Sequence, residues 1–316
     1  MKCAECNVDC QHFGKHRNGL RRYRCPVCKR THTEPHARTL DTMYISQERA
    51  VLALQLLLEG NSIRSTERIC GMDRNTVMSL LLKAGKRCQE RMDAMIRNVP
   101  VNDVEADEIW GFCAKKEKAR RPEEKDVYGI GDAWCFVGIE RNTKLVLAWH
   151  LGKRDAESTH RFIGKLRYAT GEQRFQLTTD GLALYKPAVN LALRGYADYA
   201  QLVKIYSTPR EGEQRYSSGD VVEAVPVPVM GLPKRERICT SHVERTNLSI
   251  RMGMRRMTRL TTAYSKKWSH LEAAYALYFA YFNLCRVHST LRVTPCMESK
   301  LTDRVWTIGE LISTHN

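Results

Sequence analysis

Val101-Asn-Asp-Val-Glu-Ala-Asp-Glu-Ile-Trp110 sets four acidic residues into a run that is otherwise largely apolar and reads as a strand. Alternate side chains of a strand share a face, so Asp103, Glu105 and Asp107 point the same way. Carboxylates in a core strand are costly unless their charge is offset, and holding a metal ion is one way to offset it. A second strand-like run, Phe175-Gln-Leu-Thr-Thr-Asp-Gly181, ends on Asp180, with Gly181 placed to let the chain turn away. A third acid, Glu244, lies in Ser241-His-Val-Glu-Arg-Thr-Asn-Leu248, early in a basic stretch that reads as a helix. From Lys234 to Arg292 there are twelve Lys and Arg against three Glu, so an acid there is an ion-pair partner or a metal ligand. Taken one at a time, these acids read as a surface charge, a turn aspartate and a salt bridge. In this order they make a candidate metal-binding triad.

Around these runs the patterning alternates. Strand-like segments at Val101–Phe112, Ala133–Glu140, Lys144–Leu151 and Phe175–Thr179 are joined by an amphipathic helix over Ala156–Tyr168. A further helix is expected at Leu184–Leu193 and a further strand at Tyr199–Tyr206. Strands first, then alternating helix and strand, predict a mixed α/β sheet. The Gly-, Pro- and Ser-rich stretch near 207–238 reads as a loop insertion. From Ser241 to about Val287 the chain reads as largely helical.

Upstream, residues 1–40 are short, basic and turn-rich. Cys3-x-x-Cys6 and Cys25-x-x-Cys28, separated by 18 residues, can present four sulfurs to one tetrahedral zinc. Cys10, His12, His16, His32 and His36 lie close enough in sequence to stand in for one ligand. Residues 41–98 carry a helix capped by Ser46 and stopped at Gly60, a second from Ser62 to Cys70, a turn at Gly71, and a third opened by Asp73. In the last, Val77, Leu80, Leu81 and Ala84 follow helical spacing. Helix, glycine turn, helix is the helix-turn-helix pattern. Such motifs lay their second helix in the DNA major groove, which would offer Arg74, Asn75, Thr76 and Ser79 to bases and Lys83 and Arg87 to phosphates.

The 316 residues are 43% hydrophobic and 27% charged, with a net charge of +16 that favours an anionic polymer as partner. The longest apolar runs are too short to span a bilayer, which argues against a membrane role. The polar, cysteine-bearing start of the chain is not patterned as a signal peptide. Twelve cysteines, four of them in two close pairs, suit a reducing compartment better than a disulfide scaffold. A cytoplasmic, nucleoid-associated protein is the expectation.

These blocks carry a resemblance. The chain resembles transposases of the first insertion-sequence family, Asp-Asp-Glu enzymes with a ribonuclease H-like core. The matching stretches are the Cys-x-x-Cys ribbon, Ala106-Asp-Glu-Ile-Trp110, Leu177-Thr-Thr-Asp-Gly181, His242-Val-Glu-Arg-Thr-Asn247 and Arg286-Val-His-Ser-Thr-Leu-Arg-Val-Thr-Pro295. Founding members split ribbon and catalytic domain between two reading frames, whereas this is one chain, and the insertion before Glu244 exceeds the minimal core. The resemblance implies a zinc ribbon (1–40), a helix-turn-helix DNA-binding domain (41–98) and an α/β catalytic domain with a ribonuclease H-like mixed sheet (99–316). It implies catalytic Asp107, Asp180 and Glu244 holding Mg²⁺ or Mn²⁺, and zinc on Cys3, Cys6, Cys25 and Cys28. Two hard cations about 3.5–4 Å apart suit an in-line phosphoryl transfer. The implied partners are the element's terminal inverted repeats and target DNA, with the protein acting as a homo-oligomer. On the Glu244 helix, Asn247, Leu248 and Arg251 share its face. Asn247 is then expected to orient the carboxylate, and Arg251 to stand at the phosphate beside the scissile bond. The rival reading is a DNA-binding regulator descended from such an enzyme and catalytically inactive.

Overall fold

The computed structural model describes residues 1–16, 19–35, 40, 43–207 and 221–313; His36 and residues 208–220 of the expected insertion lie outside the described residues. The chain opens with three short antiparallel strands, β1 (Gln11–Lys15), β2 (Arg21–Arg24) and β3 (Thr31–Thr33). Arg22 and Arg24 of β2 stack over the Phe13 ring, at 5.3 and 5.1 Å.

Three helices follow. The Ser46 hydroxyl accepts from the Arg49 amide and starts α1 (Gln47–Leu58), and Ser62 does the same for α2 (Ile63–Cys70). Gly71 ends α2 in the left-handed conformation (φ 56°), where a glycine is the natural residue. The Asp73 carboxylate accepts from the Asn75 amide and opens α3 (Arg74–Met95). The Arg49 guanidinium holds the turn, donating to the carbonyls of Cys70 (2.9 Å) and Gly71 (2.8 Å). Helix α2, the Gly71 turn and α3 follow one another in the expected order.

A six-stranded mixed sheet forms the centre, in the order β6–β5–β4–β7–β8–β9. Strand β4 (Asp103–Cys113) pairs antiparallel with β5 (Gly131–Glu140), which pairs antiparallel with β6 (Val146–Gly152). On its other side β4 pairs in parallel with β7 (Phe175–Thr179), and β7 in parallel with β8 (Ala197–Tyr206). Helix α4 (Ala156–Ala169) connects β6 to β7, and α5 (Tyr185–Leu193) connects β7 to β8. Phe136 of β5 packs on Phe162 and Tyr185, so α4 and α5 cover one face. Trp149 of β6 packs on Tyr275 and Phe279 of α7 (Trp268–Leu284) and belongs to the opposite face. Helix α6 (Ser241–Gly253) reaches that second face through its contacts with β4.

One expectation changes. Strand β9 (Val221–Met230) runs antiparallel to β8 within the stretch read as a loop. It is an edge strand, where Pro226 and Pro228 need not donate to a further neighbour. The stretch from Ser241 is largely helical, as expected, with a break between Gly253 and Trp268 that divides α6 from α7. A Cβ at Gly253 would lie 2.8 Å from the Tyr278 ring, so the backbone passes against α7 there. The Thr-rich run that follows is weak at sustaining a helix.

The expected boundary at 98/99 is bridged by packing. Helix α3 lies along α7 so closely that a Cβ at Gly85 would meet Ala273 at 2.5–2.6 Å. The short helices α8 (Pro295–Glu298) and α9 (Ile308–Ile312) follow α7, and the end of α9 returns to α3. There Arg87 donates to the Ile312 carbonyl (2.9 Å), so its side chain is turned into the protein and not toward a phosphate.

Candidate metal centre

Register places the acids. Asp107 of β4 pairs with Val137 and Glu108 with Phe136, so Asp107 faces α6 and α7 while Glu108 faces α4 and α5. Strand β7 is short, and its last pair is Thr179 with Ala106. Beyond that pair β4 has no strand partner on the β7 side until Cys113, which bridges Ser265, and Asp180 directly follows β7. The gap lets side chains from both faces of β4 approach one aspartate. Asp107, Glu108 and Asp180 each place a carboxylate oxygen within 4.8 Å of the other two. The turn after β7 rests on the Asp180 side chain, whose Oδ1 accepts from the Leu182 amide at 3.0 Å.

Helix α6 is anchored by β4. Its preceding residue, Thr240, makes no capping bond to the helix amides. Glu105, 2% exposed, supplies the cap from the sheet. Its Oε2 accepts from the amides of His242 (2.8 Å) and Val243 (3.1 Å), and its Oε1 lies 2.7 Å from His242 Nδ1. A carboxylate at a helix N-terminus satisfies orphan amides and the positive end of the helix dipole. Glu105 and Asp107 are two residues apart on one face of one strand. Strand β4 thus holds one candidate ligand and also fixes the helix that carries another. Cys239 joins Glu105 and His242 in a group with metal-ligand spacing, but both Glu105 oxygens are already committed to α6.

Glu244 stands outside the close cluster. One of its carboxylate oxygens accepts from Lys204 of β8 and from the Thr240 hydroxyl, and its side chain is 41% exposed. Asn247, one turn on, donates through Nδ2 to Asp107 Oδ2 at 2.9 Å, so it orients Asp107 and not Glu244. Leu248 is exposed. Arg251, expected at a phosphate, donates to the carbonyls of Trp110 (3.0 Å) and Met257 (3.2 Å) and ties α6 to β4 and the chain beyond it. Sequence reasoning missed Arg154. Its guanidinium lies 3.3 Å from Glu108 Oε2 and 3.9 Å from Asp180 Oδ2, stacked over Trp134. The register of β5 with β4 and with β6, invisible in the sequence, brings the chain after β6 there.

Without a cation the centre resists ionisation. Burial, with the Asp180 charge beside it, pushes Asp107 up to about 6. Burial and Asp180 push Glu108 up to about 8, and burial also raises Asp180. Groups that disfavour their own charges in this way gain most from a bound cation. Two buried oxygens, Glu108 Oε1 and Asn247 Oδ1, have no hydrogen-bond partner. Hard oxygen donors with spare lone pairs fit Mg²⁺ or Mn²⁺.

The N-terminal cysteines fit a second metal. All four sulfurs of Cys3, Cys6, Cys25 and Cys28 lie within 4.8 Å of one another, and Cys3 and Cys28 are 3.7 Å apart. Tetrahedral bonds of about 2.3 Å put sulfurs roughly 3.8 Å apart, so the cluster is sized for zinc. The two pairs share one turn. The residue after each second cysteine, Asn7 or Lys29, is left-handed and its amide bonds back to the first cysteine's carbonyl. Burial opposes ionisation at Cys25, but amides of Cys28 and Val27 outweigh it and bring the thiol down to about 6. Of the alternative ligands, Cys10 and His32 also lie within ligand spacing of Cys3, whereas His16 bonds Thr33 and His12 packs edge-on to Tyr23.

Arg74, Asn75, Ser79 and Lys83 are exposed on α3. Arg74 and Asn75 also line a groove of about 820 Å³ between α2–α3 and residues 254–266, with Arg64, Arg255, Tyr264 and Lys266. Among the described residues, no helix is long and apolar enough to cross a membrane.

No family model matches the chain, and no curated protein matches it. Solved structures give distant likenesses to complexes of the Mos1 transposase. The Mos1 strand transfer complex is 14% identical over 51% of this chain and 58% of that chain, with a TM-score of 0.20. A pre-cleavage Mos1 transpososome is 12% identical over 55% and 62%, with a TM-score of 0.21. The paired-end complex with the left transposon end is 13% identical over 55% and 61%, at 0.19. The chain therefore spans less than two thirds of each, and at such scores the site has to be read from its own geometry.

Proposed function

We propose that this chain is a DNA transposase. It binds the inverted repeats at its element's ends, nicks there, and joins the freed 3′-hydroxyl to target DNA. The observation that carries the reading is the convergence of Asp107 and Asp180. Asp180 follows the end of β7 and Asp107 lies within the adjacent parallel strand β4, beside a basic helix that brings Glu244 and is indexed to β4 by Glu105. In this reading Asp107, Asp180 and Glu244 hold Mg²⁺ or Mn²⁺, which activate the attacking oxygen and stabilise the leaving one. Asn247 fixes the Asp107 carboxylate, and Glu105 fixes the start of α6. Lys204 and the Thr240 hydroxyl occupy one oxygen of Glu244 and leave the other for a cation. Cys3, Cys6, Cys25 and Cys28 hold a structural zinc. The basic ribbon and the exposed start of α3 bind double-stranded DNA, with Arg74, Asn75 and Ser79 toward bases and Lys83 toward phosphate. Pairing two element ends calls for a homo-oligomer, working on DNA in the cytoplasm.

The Lys204–Glu244 pair favours one rival reading, an inactive DNA-binding regulator. A strand-transfer assay with the gene's flanking inverted repeats separates the two. The wild type should cut and join with Mg²⁺ or Mn²⁺. Asp107→Asn, Asp180→Asn and Glu244→Gln should each abolish both steps and keep end binding. Sequence-specific end binding with no cutting under either metal would support the regulator; full activity in one variant would remove that residue from the triad.

A further inference from the structure

We infer that Glu108 is a ligand in the divalent-cation site, forming with Asp107 and Asp180 a three-carboxylate centre from which Glu244 stands apart. The inference rests on the metal-dependent reading above and adds a residue to it. Neighbouring residues of a strand ordinarily point to opposite faces and do not meet at one ion. Here β7 stops opposite Ala106, and both faces of β4 open onto Asp180 just where Asp107 and Glu108 lie. Their ligand oxygens fall within 4.8 Å of one another. Oxygens bonded at 2.0–2.1 Å to one octahedral ion stand about 4.2 Å apart when opposite and about 2.9 Å when adjacent, so a bound cation draws the three carboxylates closer together.

The oxygens have been apportioned. Asp180 gives Oδ1 to the Leu182 amide, and its Oδ2 has the Arg154 guanidinium near it only at 3.9 Å, beyond hydrogen-bond reach. Asp107 gives Oδ2 to Asn247. Glu108 gives Oε2 to Arg154 at a long 3.3 Å, while its Oε1 is buried and makes no bond of good geometry, although the Tyr185 hydroxyl stands close enough to favour the charged carboxylate. The Glu108 side chain is 1% exposed, so water does not satisfy that oxygen from bulk. An unpaired buried carboxylate oxygen carries a desolvation penalty that a cation removes. The competing donor is the Tyr185 hydroxyl, also buried and without a partner at hydrogen-bond geometry. A small rotation of Tyr185 onto Glu108 would make the pair a local structural bond and nothing more.

The test is Mn²⁺ titration of the full-length protein by calorimetry, with free Mn²⁺ followed by paramagnetic resonance, for the wild type, Glu108→Gln, Tyr185→Phe, Asp107→Asn and Asp180→Asn. Glu108→Gln should lose one bound ion, or weaken the tightest one at least tenfold, in step with the two aspartate variants; Tyr185→Phe should titrate like the wild type. Glu108→Gln within twofold of the wild type, beside aspartate variants that lose metal, overturns the Glu108 assignment alone. So does Tyr185→Phe losing metal as Glu108→Gln does. Aspartate variants that also titrate like the wild type overturn the metal-dependent reading itself. Should Glu108→Gln fold poorly, a second measurement leaves Glu108 in place. In Glu244→Gln protein labelled with ¹³C-carboxyl glutamate, Mg²⁺ should shift an infrared carboxylate band of the label. No shift there refutes Glu108 as a ligand.

Discussion

Replacing Asp107 by Asn removes one charge from a site that repels its own charges, and Asn can still accept the Asn247 bond through its side-chain oxygen. Asp107 rises from 3.8 to about 6, roughly two units, and each unit corresponds to about 1.36 kcal/mol between protonation states. With the metal chelated, the wild type at pH 8 should carry a penalty of up to about 3 kcal/mol that Asp107→Asn escapes. The direction follows from linkage. A carboxyl whose folded value is raised contributes its full stability below its unfolded value and loses it as pH climbs through the folded one. The advantage of Asp107→Asn should therefore be largest above pH 6 and fade as pH falls toward 4. Urea denaturation in EDTA across pH 4–8 reads this directly. Adding Mn²⁺ at one hundred times its dissociation constant should stabilise the wild type by about 2.7 kcal/mol and leave the variant where it was. Equal stability of the two proteins in EDTA at pH 8, or equal gains with Mn²⁺, would refute the account of the site as a preformed, charge-frustrated cation centre.

Cys25→Ser with Cys28→Ser should release about one zinc per chain and unfold the β1–β3 unit, while the far-ultraviolet signal of α3 and the six-stranded sheet persists; a zinc-free wild type by elemental analysis contradicts this. Glu105→Ala strips the N-terminal bonds of α6 and should lower DNA cleavage at saturating metal by about a hundredfold. Glu105→Gln, which keeps an acceptor oxygen, should recover part of the loss, and identical rates in the two variants would mean that the anchor plays no part. Arg74→Ala and Asn75→Ala should relax sequence preference in footprints, each base contact being worth roughly 1–3 kcal/mol, whereas Lys83→Ala should weaken binding evenly and flatten its salt dependence. An unchanged footprint in the Arg74/Asn75 double variant would place sequence reading elsewhere, most simply in the ribbon.

The sequence was most legible where pattern and chemistry coincide within a few residues. Strands β4 and β7, the capped helices α1–α3 and the position of α6 follow from local periodicity and end signals. So does the paired spacing of Cys3, Cys6, Cys25 and Cys28. What stayed hidden depends on register between distant strands. Glu108 points away from Asp107 in any single-strand reading, and only the early end of β7 brings the two together on Asp180. Arg154 and Lys204 belong to the site for the same reason, through partners 46 and 40 residues away. Glu105 read as a metal-like acid because a cap supplied from another element leaves no trace in helix-end patterns. Arg251 read as a free cation because helical spacing gives a face without saying what lies across from it. Strand β9 was lost to its prolines, which an edge position tolerates and a central one would not.

The close contact at Gly85 and Ala273 bears on how such a protein can change what it reads. Helix α3 begins with the exposed residues proposed to face DNA, then buries Leu80, Leu81, Ala84, Cys88 and Met92 in the same core as α7. The helices before residue 98 and the sheet domain after it therefore do not come as detachable cassettes. A chimera joined at residue 98 would strip apolar flanks from both halves, and each would be prone to aggregate in isolation. New specificity is reached more readily by single substitutions in the exposed first turns, at positions 74, 75 and 79, where a side chain can be exchanged without disturbing the shared interior.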